Sequence, residues 1–307
     1  MNPDLSQSRF RRSILLVLLY AAPLLMGAQP SLVQDGDIWW HLRAGESILR
    51  NHSVPRVDFL SSYTMGKPWV DYSWLFDAGS ALLYRAWGLR GIFGATVALM
   101  VVIAIVLHLL ISRYERNFGR SVLITLLALA AISPLYTPRP WLITILFFII
   151  EMDFLLRARE TGKWIWIVSL IPMFVLWANV HIQFVYGLFL AGLFVLESFF
   201  AWVSESRGIA PQTRLSLGMA VTALGCWSTA TLANPYGAKV YSVVLEYANQ
   251  KAPLRYIEEM QPPRFRTIAE YSMVLLAFSA VFVLGKQRKS LVTVIVLLAL
   301  RKNLKNS

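Results

Sequence analysis

Charge and thiol are both scarce in this chain. Of its 307 residues only 15% are Asp, Glu, Lys or Arg, against 57% hydrophobic, whereas soluble domains run nearer 25% charged. That balance excludes an ordinary soluble globular protein. The single cysteine, Cys226, excludes an intrachain disulfide and leaves any metal site to other ligands. There is no P-loop, no G-x-G-x-x-G, no H-E-x-x-H and no C-x-x-C, so soluble nucleotide chemistry has no support. Acids are outnumbered by bases, 17 to 29, for a net charge of +12. In a soluble chain such an excess points to nucleic acid. Here much of the Lys and Arg falls between apolar runs, so the charge reads as a topological determinant, and as attraction for anionic lipid or a phosphate-bearing substrate, not for nucleic acid.

What is present is a series of apolar runs, many approaching the roughly 20 residues that span a bilayer. The expected fold is all-α, because helices satisfy their backbone hydrogen bonds internally in lipid. We expect a multi-pass bundle of about eight to nine transmembrane helices in one module covering residues 1–307. Ile14–Val33 follows Arg9, Arg11 and Arg12 without a small-residue cleavage site, and reads as an uncleaved signal anchor leaving the N-terminus cytoplasmic. Later spans are expected at Ile92–Ser112, Val122–Tyr136, Trp141–Leu156, Trp164–Val180, Phe184–Val203, Leu215–Ala233 and Tyr271–Leu284. This order sends every short basic loop inward and leaves two long loops outside, 34–91 and 234–269. A last apolar run, Leu291–Leu300, is too short to span, so the architecture is expected to be incomplete at its C-terminus.

The first outer loop holds two helical patterns, Ile38–Arg50 and Ser73–Trp87, the second with Ser73, Asp77, Ser80 and Tyr84 on one stripe. Both read as amphipathic helices lying at the membrane surface. Asp35, Asp37, His41 and Arg43 cluster at the first. Asp37 and His41 are four apart and share a face. Asp37 suits an N-cap for the helix beginning at Ile38, and Asp35, Asp37 and His41 together suit a divalent metal ion; both readings stay open. The same loop offers Asp58 and Lys67. Arg139, between two prolines in "YTPRPWL", is either an interfacial arginine or a phosphate clamp, for which a guanidinium fork is suited. Asn179 and His181 in "WANVHIQF" interrupt two apolar runs, where polar groups either bind a ligand or satisfy backbone. The second long loop adds "NPYG" and the acids Glu258 and Glu259 with Gln261.

The stretches "DGDIWWHLRAGESIL", "VPRVDFLSSYTMGKPWVDYSWL", "RPWLIT", "LWANVHIQFVYG" and "ANPYG" give the chain a resemblance to the GT-C superfamily, through a branch of bacterial membrane proteins with that architecture. These are multi-pass glycosyltransferases that use polyprenyl-phosphate-linked sugars. The chain departs from that pattern at Trp141, where Gln is usual, and at Ile182 and Gln183, where small residues are usual. The resemblance implies a bacterial inner-membrane protein that moves a sugar from a polyprenyl-phosphate donor to an envelope acceptor on the periplasmic face. It implies Asp37 as the catalytic acid with Asp35 beside it, and His41, Arg43, Asp58, Lys67, Arg139, Asn179 and His181 around the substrate. The rival reading is a non-enzymatic membrane protein: a transporter, a flippase or an envelope-assembly scaffold. Transporters place ionisable groups near the midplane and often repeat their halves, whereas here the acids gather in outer loops.

Overall fold

A computed structural model describes residues 3–27, 35–206, 213–249 and 265–287. Among them the chain is helical, without strands beyond one isolated antiparallel bridge between Val57 and Pro68. In chain order the helices are α1 (Pro3–Gly27), α2 (Asp37–Asn51), α3 (Trp74–Trp87), α4 (Leu89–Tyr114), α5 (Phe118–Ile132), α6 (Trp141–Thr161), α7 (Ile165–Val168), α8 (Ile171–Val180), α9 (Phe184–Glu205), α10 (Leu217–Ala230), α11 (Lys239–Asn249) and α12 (Ile268–Gln287). Among the described residues three stretches are long and apolar enough to cross a membrane: Leu89–Tyr114, Phe118–Leu135 and Phe184–Glu205. Ile165–Val180, Leu217–Ala230 and Ile268–Ser279 are apolar but shorter.

Local sequence explains the breaks. Gly88, at a positive φ of 60°, lets α3 turn directly into α4 while its N–H still reaches Tyr84 O at 2.7 Å. The Asn117 side chain accepts from Arg120 N and starts α5. Pro138 and Pro140 frame Arg139 and cannot extend a preceding helix, so α6 begins just beyond them. Gly162, at φ 66°, ends α6. The expected single run Trp164–Val180 is split into α7 and α8, because Pro172 sits at the start of α8 and supplies no N–H to a continuous helix.

The main core lies among α6, α8, α9 and α10, where Phe174 stacks on Trp227 at 5.1 Å and 12°, next to the fully buried Trp177 and Phe184. Met100, Ile103, Tyr136, Leu142 and Ile149 join α4 to α6. Leu19, Ala104 and Leu129 tie α1 to α4 and α5.

Two expectations about the loops change. α2 and α3 do not lie separately on a surface; they pack against each other. The polar stripe of α3 faces inward: Asp77, Ser80 and Ser73 are buried, as are Ile38, Leu42 and Ala44 of α2. Gly45 permits this contact, since a Cβ there would lie 2.0 Å from Asp77 O. The second long loop carries a helix of its own, α11. The segment holding Glu258, Glu259 and Gln261, residues 28–34, and the run Leu291–Leu300 lie outside the described residues.

Polar groups segregate to the two ends of the helix cluster. At one end Arg113 bonds Asp153 (2.7 Å) and Glu160 (2.6 Å), and Arg159 bonds Glu197 (2.8 Å), joining the C-terminal parts of α4, α6 and α9. At the other end lie α2, Arg139, His181 and the Asn234–Gly237 turn.

Candidate functional site

The site begins with two acids one residue apart. α2 starts at Asp37, and the Asp35 carboxylate accepts the Asp37 N–H at 3.1 Å. Asp35, not Asp37, therefore serves the helix start. That frees the Asp37 side chain, 46% exposed, from the N-cap role open to it in the sequence. Both acids converge on Arg139, 104 residues from Asp35. Its Nε and Nη2 donate to the two oxygens of Asp35 at 2.6 and 2.8 Å, a bidentate pair. Its Nη1 lies 3.0 Å from Asp37 Oδ2. The guanidinium also lies over the Trp141 ring at 4.5 Å. Burial disfavours the charged form of Asp35, but its bonds from Arg139 and from the Asp37 N–H prevail and hold it below the usual carboxylate range.

One helical turn inward, His41 is buried against Trp40 and Phe76. Its Nδ1 is 2.6 Å from Asp77 Oδ1 on α3. Asp77 is fully buried and faces the equally buried Asp71. Burial, reinforced by Asp77, pushes Asp71 up to about 8. Burial also raises Asp77 well above the carboxylate range, and it pushes His41 down to about 4 against the opposing pull of Asp37. Burial thus disfavours the charged form of all three groups. The Asp71 N–H donates to Tyr236 OH (3.0 Å), which donates to Pro55 O (2.6 Å), so the "NPYG" turn clamps this cluster from outside.

His181 approaches from the α8–α9 junction. The Trp177 indole N–H donates to Thr144 Oγ1 (3.0 Å), and the same hydroxyl lies 2.9 Å from His181 Nδ1. Burial first, and His41 second, push His181 down to about 3.

The structure thus brings together Asp35, Asp37, His41, Arg139 and His181. It does not bring in the others. Arg43 is exposed and pairs with Glu46 at 3.6 Å. Asp58 organises its own loop, accepting from Leu60 N, Ser61 N and the Thr64 hydroxyl. Lys67 is exposed in the same turn. Asn179 is saturated: its amide donates to Val175 O and Ala233 O, and its oxygen accepts from Trp74 Nε1 at 2.8 Å. It joins α8 to α3 and to the end of α10. Arg43, Asp58, Lys67 and Asn179 thus lie apart from the Asp35–Arg139 group, and the Asp58 and Asn179 side chains are bonded within the fold. The proposed metal set does not fit either. The Arg139 guanidinium lies against both Asp35 and Asp37, His41 Nδ1 is committed to Asp77, and among the described residues no three His, Cys, Asp or Glu gather as ligands.

Sequence reasoning missed Asp71, Asp77 and Thr144. The usable signal was the α3 stripe itself. A polar stripe opposite a Gly and Ala face on the neighbouring helix (Ala44, Gly45) marks a close helix contact, which buries the stripe.

A small, mostly apolar groove is lined by Ile38, Trp39, Leu89, Ile92, Phe93, Thr96 and Pro138, which include the chain neighbours of Asp37 and Arg139. No protein-family model matches the chain, and no curated protein or solved structure is similar to it. Fold and site by themselves define an all-helical protein with helices of membrane-crossing length and an acid–arginine cluster beside an apolar groove.

Proposed function

We propose that the protein is a multi-pass bacterial inner-membrane glycosyltransferase of the GT-C kind, with about eight to nine spans and its site on the periplasmic face. The donor is a polyprenyl-phosphate-linked sugar and the acceptor an envelope component. The observation that carries this reading is Arg139 held between Asp35 and Asp37 at the mouth of an apolar groove. Its apolar lining suits the first part of an isoprenoid tail, and Pro138 in that lining is the chain neighbour of Arg139, whose guanidinium is suited to the tail's phosphate. Asp37, exposed and next to that arginine, takes the acceptor hydroxyl proton as the oxygen attacks the anomeric carbon. Arg139 stabilises the charge on the departing lipid phosphate. Asp35 keeps the guanidinium oriented, and the His41–Asp77–Asp71 cluster holds α2 and α3 in register beneath it.

The test is a transfer assay on the full chain in proteoliposomes, supplied with radiolabelled polyprenyl-phosphate sugars and an envelope extract. Lipid phosphate release with label entering the extract is expected. No release from any donor overturns the reading.

One observation favours the transporter reading. Glu151 on α6 is wholly buried, and neither carboxyl oxygen meets a hydrogen-bond partner among the described residues. Ionisable groups inside a membrane-embedded helix mark ion paths as well as structural sites. Proton-coupled uptake by the same proteoliposomes, abolished in Glu151→Gln, would favour it over transfer.

A further inference from the structure

Arg139 is already engaged by the residue it must work beside. In the glycosyl-transfer reading Asp37 takes the acceptor proton and Arg139 holds the donor phosphate, yet Asp37 Oδ2 is 3.0 Å from Arg139 Nη1. The guanidinium edge that Asp37 covers is closed to phosphate while that contact stands. Among the described residues Asp35 and Asp37 both meet this arginine, and they are not equivalent. The Asp35 side chain is 4% exposed, accepts two guanidinium bonds and also accepts the Asp37 N–H. Asp37 is 46% exposed and makes a single contact to the guanidinium. An arriving anion can open the Asp37 contact into solvent, while opening the Asp35 contact would strand a buried charge. The groove lining includes Ile38 and Pro138, the chain neighbours of Asp37 and Arg139.

We infer that Asp37 and the donor phosphate exchange at Arg139 Nη1: the phosphodiester of the lipid-linked sugar displaces the Asp37 carboxylate, so that the base is unmasked only when the donor is seated. This inference rests on the glycosyl-transfer reading. In the step that follows, the acceptor oxygen bonds to the anomeric carbon and the bond from that carbon to the phosphate oxygen breaks. The phosphate oxygen keeps the electron pair, and the acceptor proton passes to Asp37. Protonated Asp37 no longer competes for Arg139. The lipid phosphate leaves when Asp37 has given its proton to water and returns to Nη1. The donor is first on and the lipid phosphate last off.

The probe is farnesyl phosphate, titrated into the full chain in detergent micelles and read by tryptophan fluorescence, since Trp141 lies under the Arg139 guanidinium. Farnesol is the control for the tail alone. Asp37→Asn removes the competitor, so it binds farnesyl phosphate roughly two- to fivefold tighter than the natural protein, and Arg139→Lys binds it more weakly. Equal or weaker binding by Asp37→Asn, with the Arg139→Lys loss intact, overturns the exchange and leaves the transfer reading standing. Farnesyl phosphate binding no better than farnesol in the natural protein overturns both. Product inhibition reads the same order without a substitution. Farnesyl phosphate is competitive against the donor and noncompetitive against the acceptor, and a noncompetitive pattern against the donor overturns the exchange.

Discussion

Asp35 and Asp37 are two residues apart and meet the same arginine, yet they differ in almost every physical respect. Asp35 is buried and bidentate, whereas Asp37 is half exposed and makes one contact to the guanidinium. Neutralising a buried partner leaves Arg139 under-compensated, so Asp35→Asn is expected to destabilise the fold by about 2–3 kcal/mol, while Asp37→Asn changes it by less than about 1 kcal/mol. Denaturant unfolding in detergent measures both, and similar losses would contradict the division of roles. A second residue-scale prediction concerns pH. Asp71 folds with its pKa raised from 3.8 to about 8. Its contribution is therefore full below about pH 4 and is lost as pH rises through 8. His41 moves the other way, from 6.5 to about 4, so its contribution is present above about pH 6.5 and lost as pH falls towards 4. The two oppose each other between pH 4 and 6.5, and above 6.5 the falling slope of Asp71 remains, joined by that of Asp77, which burial also raises. Thermal stability is expected to decline from about pH 6.5 to 8 in the natural protein, and Asp71→Asn should flatten that decline. An unchanged alkaline limb in the variant contradicts the buried-acid assignment. At this scale the acids, His41 and Arg139 were legible, because their types and spacing stand out in an apolar chain. The pairings were not. Nothing in the sequence says that Arg139 comes back to Asp35, or that the Asp58 carboxylate is used within its own loop.

At the scale of elements, the contact between α2 and α3 positions everything in the site. A Cβ on Gly45 would lie 2.0 Å from Asp77 O and 2.9 Å from Ala81 Cβ, so Gly45→Ala must push the helices apart and pull His41 from Asp77. A loss of about 3 kcal/mol or more is expected. Gly79→Ala on the same helix pair meets nothing within 4 Å and should gain up to about 1 kcal/mol from helix propensity. Unfolding of the two variants side by side checks this, and a neutral Gly45→Ala would contradict the close approach. The existence and limits of α2 and α3 were readable from periodicity. Their orientation was not: a polar stripe on an isolated amphipathic pattern is assigned to water by default, whereas here Asp77 and Ser80 face another helix. The Pro172 break and α11 were missed for a related reason. Hydrophobic runs show where a chain can be helical, but one proline or one loop-embedded pattern decides where a helix stops or starts.

At the scale of the whole molecule, ion pairs among the described residues gather at two ends of the helix cluster. α4, α6 and α9 each run from the site end to the end where Arg113, Asp153, Glu160, Arg159 and Glu197 interlock. α10 runs back from Arg214, whose N–H bonds Arg159 O, to Ala233 beside Asn179. If the site faces outward, Lys67 and Lys163 lie on opposite sides of the membrane. In a Cys226→Ser background, Lys67→Cys should react with a membrane-impermeant maleimide in intact spheroplasts, and Lys163→Cys only after permeabilisation; the reverse pattern contradicts an outer-face site. The apolar helices themselves were readable from the order of residues alone, because apolar spacing acts over whole segments. The assembly of one cluster from residues 35, 37, 41, 71, 77, 139 and 181 depends on helix packing and was not readable.

The most direct measurement is the initial rate of lipid phosphate release from a polyprenyl-phosphate sugar by Asp37→Asn, compared with the natural protein at equal folded concentration. Loss of a general base should slow release by about a hundredfold or more while unfolding stability changes little. Release by Asp37→Asn within about twofold of the natural rate contradicts the assignment of Asp37 as the base.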